Sequence, residues 1–434
     1  MPDIIMQIGV VLFFVLFIQL LFIFGLFIVS LCKKPQYTKL FTPSITILIP
    51  TYNESNNIAH CLDAIFATKY VDENRKSGAK MQIIVIDDGS TDDTITIAKL
   101  YPDVTVLKQS HKGKVAALNL GTKHATGEII ISIEADTIVS KNLFVELLRP
   151  FADKTVGAVS GAVLVDNRDS FFGRFQVLEY SYNNLIRASF SSTLSSGIWF
   201  FGCLGGYRKS VLERIGGFKT DTMSEDMDVA VEVFKAGYKA INVPTAVGYT
   251  VVPTNFKDLF KQRARWWGGG LQTIQKHKSL LTKKSSFAIK YLFYNHLWWA
   301  FYAFFCMPLF AYQIYYWWPT TATVTGTAAS TAFVVASAIF AYLFRWFSFA
   351  GPVYTLYMNS IGQWAWSTYN IFGILSGVIS AIMLVAALSI AKEKAWFKNG
   401  ICIFFYFPYT LILNVIMAGS VIRFFSQKSK YFIK

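Results

Sequence analysis

The sequence predicts an α/β domain with a mostly parallel sheet, joined to an α-helical membrane region. Between about residues 44 and 255, short β-branched runs alternate with stretches of helical spacing. Long apolar stretches flank that region on both sides. The 434-residue chain is 53% hydrophobic and 17% aromatic with a net charge of +15, more apolar than a soluble domain requires. We therefore expect a membrane protein with a large basic cytoplasmic part.

The cysteines and histidines indicate neither disulfides nor a structural metal. Five cysteines occur without a C-x-x-C pair, and the five histidines lack zinc-site spacing. We expect reduced thiols.

Residues 1–34 form the first predicted element, an N-terminal transmembrane helix. No charged residue occurs from Ile4 to Cys32, and a helix of that length exceeds the roughly 30 Å of bilayer hydrocarbon. Lys33 and Lys34 follow, which predicts an external N-terminus and a cytoplasmic next segment. A secretory signal is the alternative, but the start lacks cations and the apolar run is too long.

The predicted cytoplasmic domain spans residues 35–255, and its strands lie at residues 44–50, 82–87, 104–107 and 128–133. Segments with helical spacing lie at residues 57–68, 94–101 and 115–125. This alternation indicates parallel strands joined by crossover helices. Ligands of such sheets bind at the carboxyl ends of the strands, so the residues there are candidate site residues.

Three of these strands end in polar, acidic segments: PTYNE at residues 50–54, DDGSTDD at 87–93 and EAD at 134–136. Helix caps or turns are the alternative interpretation of each segment. Clustered carboxylates nevertheless repel one another unless a cation or hydrogen-bond donors lie among them. Glu134 and Asp136 point the same way on an extended segment and suit Mg²⁺ or Mn²⁺. The HKGK segment at residues 111–114 offers cations at a helix start for phosphate, unless Lys112 and Lys114 are only surface charges.

With these motifs the domain resembles the family 2 inverting glycosyltransferases of GT-A fold, in particular the membrane-embedded processive synthases of cellulose, chitin, hyaluronan and poly-N-acetylglucosamine. The resemblance implies that the nucleotide of a UDP-sugar is held by Thr51, Tyr52, Glu54, Asp88 and Lys114. The family's metal-binding D-x-D motif is here Glu134 and Asp136, with Asp136 the metal ligand. This sequence departs from the D-x-D pattern at Glu134, which is one methylene longer.

Further motifs of the resemblance concern the sugar acceptor. The segment FFGCLGGYRK from residue 200 onward, which contains Gly202, matches a glycine-rich acceptor-side segment. SEDMD at residues 224–228 resembles the T-E-D motif, which implies that Asp226 is the catalytic base and that Glu225 lies at the acceptor. An aspartate at a helix start could instead serve only as a charge favoured by the helix dipole.

Residues 256–289 are predicted to form amphipathic helices in the membrane interface. In QRARW, the residues Gln262, Arg265 and Trp266 share one helix face, whereas Arg263 is rotated away. The resemblance assigns Arg265 to the donor diphosphate, and Gln262 and Trp266 to the acceptor. A purely interfacial anchor is the alternative, and both roles can hold together.

Residues 290–424 are predicted to supply about four transmembrane helices, with an interfacial or re-entrant segment near residues 350–366, and residues 425–434 a basic cytoplasmic tail. A hairpin is expected at WWPTTATVTG, and a last span at residues 399–422. This topology leaves Lys392, Lys394 and Lys398 outside, in conflict with the positive-inside rule. His296, Trp298, Trp299, Tyr302 and Trp364 are candidates for lining an export path, or alternatively belong to lipid-facing aromatic belts.

The resemblance thus implies a multi-pass enzyme of the plasma membrane that transfers a sugar from a UDP-sugar to a growing β-linked polysaccharide, with coupled export of the product. The best candidate for the donor is UDP-N-acetylglucosamine. Motif details resemble the poly-β-1,6-N-acetylglucosamine synthases most. The expected partners are the UDP-sugar donor, a polysaccharide or lipid acceptor and the lipid bilayer, with an accessory subunit as an optional further partner. A non-processive glycolipid-forming transferase is the alternative. A transporter is a distant one, because no phosphate-binding G-x-x-x-x-G-K-[ST] loop occurs. Nucleic acid is not expected, because much of the basic excess flanks the membrane segments.

Overall fold

One eight-stranded sheet forms the centre of the computed structural model, which describes residues 2–33, 37–70, 81–194, 202–282, 285–322, 350–362, 365–393 and 396–426. The strand order is β3-β2-β1-β4-β7-β6-β8-β5. The strands are β1 Ile45–Thr51, β2 Met81–Asp87, β3 Val104–Lys108, β4 Ile129–Ile133, β5 Thr137–Val139, β6 Val156–Val165, β7 Leu204–Arg208 and β8 Lys239–Thr250.

The first four strands confirm the predicted parallel half of the sheet. β1 pairs in parallel with β2 and with β4, and β2 pairs in parallel with β3. β1, β2 and β4 are isoleucine-rich and mostly buried, as expected for parallel strands covered on both faces. This arrangement brings the carboxyl ends of β1, β2 and β4 to one edge.

The second half of the sheet was not predicted. β7 runs antiparallel to both β4 and β6, while β6 and β8 pair in parallel. The β7 sequence LGGYR has neither an apolar run nor a clear alternation, so it gave no strand signal. Because β7 lies beside β4, it brings the segment that begins at Gly202 next to Glu134, whose backbone N–H donates to the Cys203 carbonyl oxygen at 3.3 Å.

Helices cover the sheet and continue into the membrane region. The three predicted crossover helices are confirmed, with their ends shifted by at most three residues. The α-helices are α1 Pro2–Leu31, α2 Ile58–Phe66, α3 Thr94–Ala98, α4 Lys114–His124, α5 Leu143–Leu148, α6 Phe171–Leu194, α7 Lys209–Arg214, α8 Glu225–Lys235, α9 Phe256–Lys276, α10 Ser279–Thr282, α11 Phe287–Ala322, α12 Ala350–Ser360, α13 Thr368–Ile390, α14 Trp396–Phe404 and α15 Tyr406–Phe425.

Two helices in the described part of the chain are long and apolar enough to cross a membrane, at Gln7–Leu31 in α1 and Asn370–Ile390 in α13. α1 runs antiparallel to α11, because the Phe22 ring meets Tyr291 while Gly9 faces Leu309. α1 runs parallel to α13, because their amino-terminal halves touch at Phe14 and Phe372 and their carboxyl-terminal halves at Phe27 and Met383. The chain is therefore organised as a sheet-containing domain with an attached apolar helix layer.

The stretch predicted as a last span, residues 399–422, is instead divided between α14 and α15. Pro408 explains the break, because a proline has no backbone N–H to donate to the carbonyl of Phe404, the last residue of α14. The loop after α13 lies against the sheet-containing domain, with Glu393 paired to Arg168 at 2.7 Å. The adjacent Lys392 therefore lies on the side of that domain, which removes part of the charge conflict.

Several expectations fall outside the described residues. They are residues 323–326 of WWPTTATVTG and the rest of that hairpin, together with Trp364, Lys394, Phe200 and the tail beyond Ser426. The first six residues of WWPTTATVTG continue α11 to Ala322.

Candidate active site

The predicted site residues follow the strand ends that the sheet brings together. Thr51 pairs with Asp87 in the β1–β2 register, and the Asp88 backbone N–H donates to the Thr51 carbonyl oxygen at 2.9 Å. β4 lies on the other side of β1, so Glu134 and Asp136 emerge at the same edge. The three acidic segments therefore belong to one site, as the sequence predicts.

Asp88 holds the loop that precedes α4. Its Oδ1 accepts hydrogen bonds from the Lys112 backbone N–H at 2.8 Å and the Gln109 amide at 2.6 Å. Its Oδ2 accepts from the Gly113 N–H at 2.8 Å and lies 2.9 Å from His111 Nδ1. Gly113, at φ 89°, adopts a conformation that side chains disfavour. Asp88 thus shapes the loop that presents Lys114.

The PTYNE segment forms the neighbouring wall. Tyr52 is exposed, and its ring centroid lies 4.3 Å from that of His111 with the planes 33° apart, so the two rings pack face against face. Thr51 is buried, and its hydroxyl lies 3.4 Å from a β2 carbonyl oxygen. Glu54 accepts a hydrogen bond from Asn57 at 2.8 Å, and burial raises the pKa of its carboxyl. Sequence reasoning missed His111.

Lys114, the first residue of α4, joins two of the acidic motifs. Its Nζ lies 2.5 Å from Glu134 Oε1 and 2.7 Å from Glu225 Oε1. Burial lowers the pKa of Lys114, but the two carboxylates outweigh it and raise that pKa well above its ordinary value. Burial likewise opposes ionisation of Glu225, and the Lys114 ammonium overrides it to lower the pKa. The extra methylene of Glu134 is used to reach this ammonium.

Asp136 is buried among carboxylates, and their effect on its pKa exceeds that of the Lys114 ammonium, which lowers it. Burial first, and then the carboxylates of Glu134 and Glu54, raise its pKa to about 7. Hydroxyl donors, from Thr137 at 3.3 Å and Thr250 at 3.5 Å, both reach Oδ1. No hydrogen bond to Oδ2 is found among the described residues. A carboxylate so placed gains from a divalent cation, which favours its ionised form.

Asp226 lies at the start of α8, where the helix dipole favours negative charge. Burial and then the adjacent Glu225 carboxylate nevertheless raise its pKa to about 6, although Lys114 and Arg265 act in the opposite direction. The Met227 backbone N–H donates to its Oδ1 at 2.8 Å. A carboxyl group tuned to this range suits a general base near neutral pH.

The motifs converge around the backbone of Gly202 and Cys203. A Cβ at Gly202 would lie 3.1 Å from both Asp226 Oδ2 and Lys114 Nζ. Burial, and then the negative charges of Glu134, Asp136 and Asp226, raise the pKa of the Cys203 thiol well above its ordinary value. Side chains more than ninety residues apart in the sequence therefore surround one small space, as the sequence predicts.

The QRARW residues of α9 border the same site. Arg265 is exposed and close enough to lower the pKa values of Glu225 and Asp226. Gln262 and Trp266 are half-buried, and both contact Arg263, which sequence reasoning set aside as rotated away. The periodicity correctly separates the two helix faces. It could not show that the buried arginine bends back to touch the outer residues.

The three glycines that follow QRARW let two elements approach α9. A Cβ at Gly268 would meet only the terminal methyl of Met223, at 2.8 Å. One at Gly269 would lie 2.7 Å from the Ser224 backbone nitrogen, and one at Gly270 would overlap the His296 ring of α11. The S-E-D motif is thereby packed directly on the helix that carries Arg265 and Trp266. His296, a candidate for the export path, is buried in this packing.

One group of three potential metal ligands converges in the described part of the chain, Asp228, Glu232 and His277. It joins α8 to the carboxyl end of α9 rather than lying at the strand ends. Asp228 pairs with His277 Nε2 and with Lys276 Nζ, each at 2.8 Å. Because an ammonium already neutralises this cluster, we interpret it as a structural link between the two helices and not as the metal site.

In the role of general base that the resemblance implies, Asp226 accepts a proton only when ionised, so we expect the reaction rate to fall as pH falls through about 6. For a pKa of about 6, about nine-tenths of the Asp226 carboxyls are ionised at pH 7 and about one-tenth at pH 5. Initial rates at saturating donor and divalent cation measure this. Donor binding measured at each pH distinguishes protonation of Asp226 from competition between protons and the divalent cation at Asp136. A rate that stays level down to pH 5 would contradict the assignment.

Comparison with known proteins identifies the class of this fold and site. The solved structure of the mannosyltransferase PcManGT from Pyrobaculum calidifontis, in complex with GDP-Man and Mn²⁺, matches 90% of this chain and 100% of its own chain, with a TM-score of 0.58 and 23% identity. The fold is thus that of the GT-A glycosyltransferases. Residues 43–269 match the family model described as glycosyltransferase like family 2. The chain belongs to this family and is a glycosyltransferase.

Curated relatives are similar over somewhat less than two thirds of this chain. The poly-beta-1,6-N-acetyl-D-glucosamine synthase of Staphylococcus aureus (strain MSSA476) is 30% identical over 275 residues, which cover 62% of this chain and 64% of that synthase. The enzyme of that name from Staphylococcus epidermidis is 28% identical over 295 residues, 64% of this chain and 69% of the relative. The match to the first relative therefore spans somewhat under two thirds of its length.

Proposed function

We propose that the protein transfers N-acetylglucosamine from a UDP-sugar to a growing β-linked polysaccharide, with inversion at the anomeric carbon. The observation that carries this proposal is the convergence of Lys114, Glu225 and Asp226 beside Gly202, bordered by Arg265. The choice of sugar and polymer is supported by the similarity to the poly-N-acetylglucosamine synthases.

In the proposed reaction, Asp226 accepts the proton of the acceptor hydroxyl while that oxygen attacks the anomeric carbon. Its raised pKa favours this proton transfer near neutral pH. Lys114 and Arg265 stabilise negative charge on the departing UDP. Glu225 keeps Lys114 in place between donor and acceptor at 2.7 Å. The exposed ring of Tyr52, which packs against His111, stacks on the base of the nucleotide.

We further propose that Asp136 binds Mg²⁺ or Mn²⁺, since burial and the carboxylates of Glu134 and Glu54 outweigh the Lys114 ammonium and leave this site favourable for a divalent cation. Glu134 and Glu54 lie near enough to add negative charge, although Glu134 is engaged with Lys114. Such an ion, when bound, neutralises the diphosphate of the donor and takes ligands from it. A site with few protein ligands agrees with that, because the substrate and water complete the coordination.

The catalytic domain is proposed to lie in the cytoplasm against the inner membrane surface, with a multi-pass helix region. The packing supports this arrangement, because α11 runs antiparallel to α1 and α13 runs parallel to it, as membrane helices of opposite and equal direction would. The pair of Arg168 and Glu393 supports a cytoplasmic position for the carboxyl end of α13. Export of the product through this region is part of the proposal.

The test is to supply the purified detergent-solubilised protein with a panel of radiolabelled UDP-sugars and Mg²⁺ or Mn²⁺, and then to size the product. We expect a polymer from UDP-N-acetylglucosamine only, and none after chelation of the metal. Addition of a single sugar to lipid would support the glycolipid alternative instead. Incorporation from a different donor would overturn the proposed substrate while leaving the enzyme class intact.

A further inference from the structure

Arg263 is the buried residue of the QRARW motif, and it contacts both proposed acceptor residues. Only 2% of its surface is exposed. Its Nη1 donates to Gln262 Oε1 at 2.5 Å, and its guanidinium carbon lies 4.1 Å from the centroid of the Trp266 ring. A planar guanidinium can donate in its plane and stack through its face at the same time, which an ammonium cannot do. Arg263 thus sets the orientations of an amide and an indole together.

A single carboxylate balances the charge of Arg263. Glu179 of α6 accepts from Arg263 Nη2 at 2.8 Å through its Oε2. The Gln176 amide oxygen, one helical turn earlier, accepts from the same nitrogen at 3.3 Å. Because a buried guanidinium without its carboxylate is costly, this pair holds Arg263 in one place.

The same oxygen of Glu179 also connects to the carboxyl-terminal helix α15. The Tyr409 hydroxyl donates to Glu179 Oε2 at 2.5 Å. The Tyr409 ring is buried and stacks on Phe175 of α6, with ring centroids 5.1 Å apart and planes 13° apart. One carboxylate oxygen therefore joins α6, α9 and α15 directly beneath Gln262 and Trp266.

We propose that Arg263 is a positioning residue for the acceptor sugar, and that Tyr409 couples α15 to it through Glu179. The inference rests on the proposed function, since it takes Gln262 and Trp266 as the residues that contact the acceptor. A shift of α15 alters the hydrogen bond to Glu179 and so the orientation of Arg263. The helix layer thereby influences how the acceptor sits before the base, while the donor side at Lys114 is unaffected.

The experiment compares Arg263→Lys with the wild type at saturating donor, using a β-1,6-linked N-acetylglucosamine hexamer as the acceptor. We expect the acceptor KM to rise by about tenfold or more, since a lysine retains the charge but cannot keep both contacts. The donor KM, and the slow hydrolysis of UDP-sugar by water, should change by less than about twofold. Tyr409→Phe removes one hydroxyl and should raise the acceptor KM by about threefold, which keeps the test open if Arg263→Lys folds poorly.

Arg208→Lys is the matched control. Arg208 also pairs with a glutamate, Glu128 at 2.8 Å, and lies over the Phe151 ring, but at the opposite end of β7 from Gly202. This control should lower the melting temperature without altering the acceptor KM. If Arg263→Lys and Tyr409→Phe also leave the acceptor KM unchanged, Arg263 is merely structural and the inference fails. A wild type that transfers no sugar to any acceptor would instead overturn the proposed function, and the inference with it.

Discussion

Replacing Asp226 by asparagine is expected to lower the rate of sugar transfer by about 100-fold or more, the range that a general base contributes. Asparagine has the same shape but cannot accept the proton of the acceptor hydroxyl. UDP-sugar binding should stay within about twofold of the wild type, because Lys114 and Asp136 remain. Transfer is measured by radiolabel incorporation and donor binding by titration calorimetry.

The same substitution should leave the protein as stable as the wild type or more so. Burial and Glu225 raise the pKa of Asp226, so its ionised form opposes folding at pH above about 6 and a neutral amide relieves this. Loss of activity without loss of melting temperature would therefore distinguish a functional from a structural carboxylate. Asp221→Asn is the control, because Asp221 is exposed and forms only a surface pair with Lys276. Normal turnover by Asp226→Asn would rule out its role as the base.

The second large effect is expected from Gly269→Ala in α9. Alanine is the better helix former by about 1 kcal/mol, so helix propensity alone predicts stabilisation. The new Cβ would lie 2.7 Å from the Ser224 backbone nitrogen and 2.9 Å from the Met223 carbonyl carbon, neither of which can move like a side chain. The start of α8 must shift, and Asp226 with it. A displacement of about 1 Å in an active site can cost about 100-fold in rate.

Gly268→Ala is the matched control for this prediction. It adds the same methyl group one residue earlier, where it meets the flexible end of Met223. We expect Gly268→Ala to retain most of the activity and to melt at or above the wild-type temperature. Gly269→Ala should lose activity and melt at a lower temperature. Equal behaviour of the two variants would show that the contact between α8 and α9 does not set the position of the base.

The motifs of the nucleotide side could be predicted from the sequence because they are local. PTYNE, DDGS and EAD each follow an isoleucine-rich run, and parallel strands place their carboxyl ends at one edge wherever the helices cross over. Residues 43–269 accordingly match a family model, and the four strands predicted there are confirmed. The spacing of Gln262, Arg265 and Trp266 likewise follows from helix periodicity alone.

The links between these motifs could not be predicted. Strand β7 lacks an apolar pattern because its glycines are selected by close packing, so its place beside β4 was invisible in the sequence. The partners of Lys114 are 20 and 111 residues away along the chain, and nothing local indicates that it contacts both. Pro408 indicated the helix break at Phe405, but the uninterrupted apolar composition of that stretch predicted one continuous span instead.

The sequence by itself determined the enzyme class, the parallel half of the sheet and the residue types of the site, because strand ends and helix faces depend on short-range geometry. Only the tertiary structure decided how the site is held. The shift of the Asp226 pKa needs burial and the neighbouring Glu225, the approach of α8 needs Gly269, and the orientation of Trp266 depends on an arginine that is buried by α6 and α15. Such effects arise from desolvation and from contact between distant segments, and local sequence patterns indicate neither.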